Sequence, residues 1–69
     1  MPSSSIRAIG YEKPTGSLIV GFVSGAVYAY RNVPEAVYLA FKDAPSKGRF
    51  FASEIRPRYT DFEQIRDAD

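Results

Sequence analysis

Three strand-like segments in the first half of the chain are joined by turns that are too short for a crossover connection. Residues 5–11 are rich in strand-forming residues, and the apolar residues of Ser17–Phe22 fall on one face of an extended chain. A third strand-like segment covers residues 26–31, after a break at Ser24 and Gly25. Because parallel strands need a connection of about a dozen residues or more, these segments predict a three-stranded antiparallel meander.

The period of the apolar residues changes after Asn32, from two residues to about four. Pro34 suits the first position of a helix, where its missing N–H removes no hydrogen bond. A first amphipathic helix is therefore predicted over residues 34–43. A second helix is predicted over residues 46–55, because Ser46 can serve as its N-cap and Pro57 disfavours helical geometry at the residue before it.

The C-terminal residues also carry a helix signal. Thr60 and Glu63 have the spacing of a capping box, which predicts a short helical turn before the acidic end. The predicted fold class is therefore α+β: a three-stranded antiparallel β-meander, two short helices packed on one face of the sheet, and this helical turn. A chain of 69 residues supports one domain, here with its core over about residues 4–59 and an acidic tail over residues 61–69.

The position of Tyr28 and Tyr30 depends on the register of the hairpin that precedes them. A two-residue turn at Ser24 and Gly25 places both tyrosines on the face opposite to Phe22, whereas a three-residue loop over residues 23–25 places them on the core face. The two-residue turn prefers Asn-Gly or Asp-Gly, so a loop that ends in glycine favours the second register. Exposed tyrosines would form a stacking platform for bases, whereas inward tyrosines pack in the core.

The absence of histidine and cysteine excludes most catalytic and metal chemistry. Without imidazole or thiolate, neither the usual zinc, copper and iron ligand sets nor a Ser/His/Asp or Cys/His nucleophile can be assembled. We therefore expect no enzyme activity, no cofactor and no metal. The longest apolar runs have about five residues, far fewer than the roughly 18 of a membrane span, and the N-terminus lacks the features of a secretory signal. A cytoplasmic protein without membrane contact is expected.

Positive charge is concentrated in the body of the chain, although the net charge is only +1. Residues 1–60 hold 8 basic and 4 acidic residues, whereas residues 61–69 hold 1 basic and 4 acidic residues. At the predicted start of the second helix, free backbone N–H groups would attract an anion such as phosphate to Ser46, Lys47 and Gly48. The same residues also fit a plain helix cap with solvated charges. If the segment binds nucleic acid, its phosphate-binding residues are Lys47, Arg49, Arg56 and Arg58.

Several short motifs occur together in an order that resembles the KTSC domain family. They are Ser4-Ser5-Ile6, Ile9-Gly10-Tyr11, Leu18, Val20 and Phe22 before Gly25, Tyr28-Ala29-Tyr30, Val33-Pro34, Ser46-Lys47-Gly48, Phe50-Phe51 and Ile55-Arg56. The resemblance covers about residues 4–59, with Glu12 and Ala52 standing where the family more often has aspartate and asparagine. This family takes its name from the C-terminus of some lysyl-tRNA synthetases and also forms small bacterial and phage proteins.

The resemblance implies an accessory module that binds RNA, because the family is found fused to a tRNA synthetase. The leading hypothesis is therefore a non-catalytic module for RNA or tRNA, with the four basic residues on phosphates and Tyr28 and Tyr30 stacking on bases if they are exposed. The alternative is a protein-interaction module, either a homodimer or a phage factor that binds a host protein. A partner of this kind would support so small a core.

Overall fold

Four antiparallel strands form one sheet in the computed structural model, which describes residues 6–67. The strands lie side by side in chain order, and two helices occupy the connection between the third and the fourth. Ser4, Ser5 and Asp69, which entered the sequence arguments, lie outside the described residues. The strands are β1 (Ile6–Glu12), β2 (Ser17–Phe22), β3 (Val27–Tyr30) and β4 (Phe62–Arg66), and the helices are α1 (Glu35–Asp43) and α2 (Lys47–Phe50), which continues into a π-helical segment (Phe51–Ile55).

Strand β4 corrects the prediction at the C-terminus. A three-stranded sheet that ends in a helical turn was expected, but Phe62–Arg66 is a fourth strand that pairs with β3. Phe62 lies opposite Tyr30, and their rings stack with centroids 5.1 Å apart. A capping box can satisfy only local hydrogen bonds, whereas the free edge of β3 offers a whole ladder of backbone partners. The pairing with β3 is long-range and leaves no local pattern in the sequence.

The hairpin between β2 and β3 uses the three-residue loop that its glycine favoured. The Phe22 N–H donates to the Ala26 carbonyl over 2.8 Å, and the Gly25 N–H donates to the Phe22 carbonyl over 2.9 Å. Gly25 has φ 104°, a left-handed conformation that costs glycine little. As a result Val20 lies opposite Tyr28 and Leu18 lies opposite Tyr30, so both tyrosines are on the core face.

The core lies between one face of the sheet and the two helices, as the layer pattern predicted. The Phe41 side chain of α1 has no exposed surface, and its ring stacks on Phe50 with centroids 5.1 Å apart. Tyr11 ties β1 to the loop before α1, because its hydroxyl donates to the Val33 carbonyl over 2.6 Å. The buried cluster is Leu18, Val20, Tyr30, Val33, Phe41 and Ile55.

The two helices lie where the proline and serine signals placed them. Helix α1 begins at Glu35, directly after Pro34, and ends at Asp43. The second helix follows Ser46, whose hydroxyl accepts the Arg49 N–H over 3.3 Å, and helical backbone continues to Ile55. Its second half is π-helical, with a hydrogen bond of 3.0 Å from the Arg56 N–H to the Phe51 carbonyl.

The opposite face of the sheet carries no helix within residues 6–67. The ladder registers place Ala8, Gly21, Val27 and Arg66 in one row across the four strands on that face. The neighbouring row on the same face consists of Gly10, Ile19, Ala29 and Glu63. We call this surface the open face.

Candidate functional site

The proposed anion site at the start of the second helix is built from side chains that also join the two helices. The Lys47 ammonium group donates to the Ala44 carbonyl over 2.9 Å, at the C-terminal end of α1, where the helix dipole favours a cation. Gly48 is buried, and the Ser46 hydroxyl caps the Arg49 N–H. Ser46 and Lys47 therefore each have a hydrogen-bond partner within the fold, and the burial of Gly48 leaves it little surface to offer a ligand.

Arg49 and Arg56 are the predicted phosphate-binding residues that the structure leaves most available. Both are exposed, and neither forms an ion pair with an acidic residue in the described part of the chain. Their positions differ by seven residues, or about 10 Å along a helix. Arg58, in contrast, lies 3.5 Å from the Glu54 carboxylate. Phosphate binding by Arg58 must therefore compete with this exposed ion pair.

A cleft of about 520 Å³ lies beside Arg49 at the junction of the two helices. Phe50 supplies an apolar wall, and Ser46, Ser53 and Glu54 supply polar groups. A second cleft of about 250 Å³ shares Phe50 and Glu54 and extends past Arg58 to Tyr59. The helical surface therefore combines cations, hydroxyl groups and an aromatic ring, which are the groups that contact phosphates, sugars and bases.

The two candidate tyrosines are packed to different extents. Tyr30 is 5% exposed, and its ring packs against Phe51 and Phe62 with centroids 5.6 and 5.1 Å away. Tyr28 is half-buried and packs edge-on against Phe22 at 5.7 Å. Burial raises the pKa of Tyr30, the neighbouring Tyr28 raises it further, and the Arg56 guanidinium opposes both. The Tyr30 ring has no free face for a base, so its contribution here is to the core and to the surroundings of Arg56.

A second basic site, which the sequence patterns did not reveal, lies on the open face. Arg7 and Arg66 stand on the two edge strands and line a groove of about 420 Å³. Its other lining residues are Ala8, Gly21, Phe22, Gly25 and Val27, and we call it the arginine groove. The two arginines are 59 positions apart in the chain, and only the pairing of β4 brings them to one surface. The glycine inside β2 was the only local signal of this groove.

Two further searches concern the described residues alone. Within residues 6–67 there is no group of three acidic, histidine or cysteine side chains placed to hold a metal ion. In the same part of the chain, no helix is both long and apolar enough to cross a membrane.

Comparison with known proteins gives matches over most of the chain. Residues 2–59 match the family described as the KTSC domain. An uncharacterized protein of Stutzerimonas stutzeri (strain A1501) is 41% identical over 59 residues, which cover 86% of this chain and 83% of that protein. A lysine–tRNA ligase of Nostoc punctiforme is 40% identical over 62 residues, which cover 90% of this chain but only 11% of the ligase.

The fold also matches a solved structure. The crystal structure of a KTSC domain protein from Yersinia pestis gives a TM-score of 0.82 at 36% identity, over 96% of this chain and 92% of that chain. The resemblance inferred from the short motifs is therefore confirmed by sequence and by structure. The chain belongs to the KTSC domain family.

Proposed function

We propose that this domain is a non-catalytic module that binds RNA, with tRNA as the first candidate, through the basic surface of its second helix. The observation that carries the proposal is the exposure of Arg49 and Arg56 without an acidic partner among residues 6–67. Arginine is well suited to phosphate, because its planar guanidinium group can donate two parallel hydrogen bonds. Lys47 adds positive charge at the start of the same helix, and Arg58 adds it in the turn that follows the helical end at Ile55.

The local charge supports the proposal better than the net charge of the chain does. Residues 42–58 hold 5 basic and 2 acidic residues, although the whole chain has a net charge of only +1. The Debye length is about 8 Å at physiological ionic strength, so a phosphate responds to this local surface more than to acidic residues elsewhere. A small number of phosphate contacts and a modest dependence on salt are therefore expected.

The relatives supply a second, independent support. A segment similar to this chain makes up 11% of a lysine–tRNA ligase, and the small relative from Stutzerimonas stutzeri is nearly covered by the match. A domain that occurs both as a small protein and as part of a tRNA ligase is consistent with an accessory role beside an RNA substrate. The catalytic work would then belong to the remainder of the ligase.

The proposal is tested by titrating fluorescently labelled tRNA and a short single-stranded RNA with the protein at low and at moderate salt. We expect binding that weakens as salt rises, and a double substitution of Arg49→Ala and Arg56→Ala should lower the affinity at least tenfold. The slope of log Kd against log salt concentration should also fall by about two, because two phosphate contacts are lost.

Lys13→Ala is the matched control. Lys13 lies in the turn between β1 and β2, away from the second helix, and the substitution removes an exposed cation that pairs with Glu35. This variant should bind like the unmodified protein. Absence of RNA binding by the unmodified protein at low salt would refute the proposal.

A protein-interaction role is the second candidate, and the outer edge of β4 favours it. All five residues of this strand are exposed, including Phe62 at 49% and Ile65 at 58%. An edge strand of this kind presents unpaired backbone groups to a further strand. Antiparallel pairing of two β4 strands about their centre would place Gln64 opposite its own copy and Phe62 of one copy opposite Arg66 of the other.

A further inference from the structure

The arginine groove has a floor that is kept low by small residues. Ala8, Gly21 and Val27 follow one another across three strands, and Arg66 ends the same row on β4. Arg7 precedes Ala8 at an irregularity in β1, where the register with β2 shifts between Ile6 and Ala8. The result is a shallow groove between two long cationic side chains. Its volume of about 420 Å³ falls within the range of small-molecule sites in proteins.

The fold does not explain the glycine at the centre of this floor. Gly21 has no positive φ, and a Cβ added there would lie 3.7 Å from the Ala8 carbonyl oxygen, an ordinary contact. A side chain could therefore be accommodated, and a glycine inside a strand lowers stability by roughly 0.5–1 kcal/mol relative to alanine. A strand glycine without a backbone reason often marks a place where a ligand approaches closely.

The charges of the groove select an anionic occupant. Within residues 6–67, neither Arg7 nor Arg66 forms an ion pair with a carboxylate. The acidic residue in the adjacent row of the open face is Glu63, and its carboxylate is already engaged by Arg31. Two arginine side chains thus face a neutral floor without a partner, on the side of the sheet away from the helices.

We propose that the arginine groove is a second contact site for RNA, in which Arg7 and Arg66 bind consecutive phosphates of a single-stranded segment and one nucleotide lies over Gly21. This inference rests on the proposed function, since it assigns a further part of the same RNA to the open face. A bound RNA then reaches both faces of the domain by passing around an edge of the sheet. Phosphate groups suit the arginine pair, and the absence of a side chain at Gly21 leaves room over the floor for a sugar and a base.

The decisive variant is Gly21→Val, which fills the floor without removing a charge. Valine favours strands, so the thermal midpoint of unfolding should stay the same or rise. The affinity for single-stranded RNA should nevertheless fall at least fivefold. Gly10→Val is the matched control: it adds the same side chain one row away on the open face, outside the groove lining, with its nearest contact at 4.0 Å. Its affinity should stay within twofold of the unmodified protein.

Two further measurements distinguish a loss of RNA contacts in the groove from a folding defect of the Gly21→Val variant. The exposed substitutions Arg7→Ala and Arg66→Ala should together weaken RNA binding at least fivefold. In the unmodified protein, titration with RNA should shift the backbone amide signals of Ala8, Gly21 and Val27. Unchanged signals in these residues, with bound RNA present, would refute the groove as a site.

The outcomes separate this inference from the proposed function. If the unmodified protein binds no RNA, the proposed function and the groove assignment both fail. If the Arg49 and Arg56 substitutions weaken RNA binding but Gly21→Val and the Arg7 and Arg66 substitutions do not, only the groove assignment fails. The assignment would also be overturned if a polyglutamate peptide shifted the amide signals of the groove residues and RNA did not. The groove would then be a site for an acidic polypeptide.

Discussion

At the scale of single residues, Tyr30 connects the core with the basic surface of the helix. Its ring packs edge-on against Phe51 of the π-helical segment and stacks on Phe62 of β4. Its hydroxyl group is close enough to Arg56 for the guanidinium to lower the pKa of the tyrosine, although burial has the larger and opposite effect. The chemistry of one buried phenol therefore depends on two elements that both lie far from it in the sequence.

The raised pKa of Tyr30 predicts a loss of stability at alkaline pH. A tyrosine in an unfolded chain ionises near pH 10. In the folded state the pKa is higher, so folding retains the proton after the unfolded chain has lost it. The contribution of Tyr30 is therefore fully present below about pH 10 and is lost as pH rises through the folded-state pKa.

Urea unfolding between pH 8 and about pH 11 measures this effect. The Tyr30→Phe variant should lose less stability over this interval than the unmodified protein. An equal loss in both proteins would contradict the assignment to Tyr30.

A second variant tests the effect of Arg56 on the same group. Arg56→Ala should move the ultraviolet titration of the Tyr30 phenol to higher pH, because the opposing cation is then absent.

At the scale of elements, β4 stabilises the sheet by packing and by charge. Phe62 covers Tyr30 and Tyr28, with ring centroids 5.1 and 5.8 Å away. Directly after β3, Arg31 pairs with Asp61 over 3.3 Å and with Glu63. Exposed ion pairs of this kind contribute little each, so most of the stabilisation comes from the aromatic packing and the ladder.

Removal of residues 61–69 should therefore destabilise the domain. We expect the free energy of unfolding to fall by at least about 2 kcal/mol. The truncation removes the apolar surface that the half-exposed Phe62 ring buries and the ladder of hydrogen bonds between β3 and β4. Urea denaturation measures the change, and removal of residues 67–69 alone serves as the control. An unchanged urea midpoint after the longer truncation would show that β4 contributes no stability.

The sequence allowed prediction of those elements whose signals are local. Gly25 favoured the loop that places Tyr28 inward, and Ser46 and Pro34 marked the two helices within about one residue. Strand β4 was missed because its partner strand, β3, is distant in the sequence, whereas the capping-box pattern of Thr60 and Glu63 is local and indicated a helix. The arginine groove was missed for the same reason, since Arg7 and Arg66 meet only after β4 has paired with β3.

At the scale of the whole molecule, the small core raises the question of self-association. Small domains without a disulfide or a metal often rely on a partner subunit. If two copies pair through β4, sedimentation equilibrium should show a dimer at high protein concentration. Gln64→Glu should then weaken it, because this residue lies opposite its own copy in the proposed register and the change places two carboxylates opposite each other.

Ala8→Glu is the matched control, since it adds the same carboxylate to an exposed position of the other edge strand and should leave the dimer intact. A strict monomer at high concentration would exclude pairing between copies. A dimer unaffected by Gln64→Glu would place the interface elsewhere.

The order of the strands also determines how another polypeptide can be attached to this domain. Strand β1 begins and β4 ends at the same end of the sheet, since Ala8 and Arg66 share one row. Three strand spacings separate these two edges, about 14 Å. A polypeptide fused to either terminus would therefore join the described part of the domain at Ile6 or at Asp67, beside the arginine groove. A fluorophore or tether on the turn at Lys13, at the far end of the sheet, would leave it unobstructed.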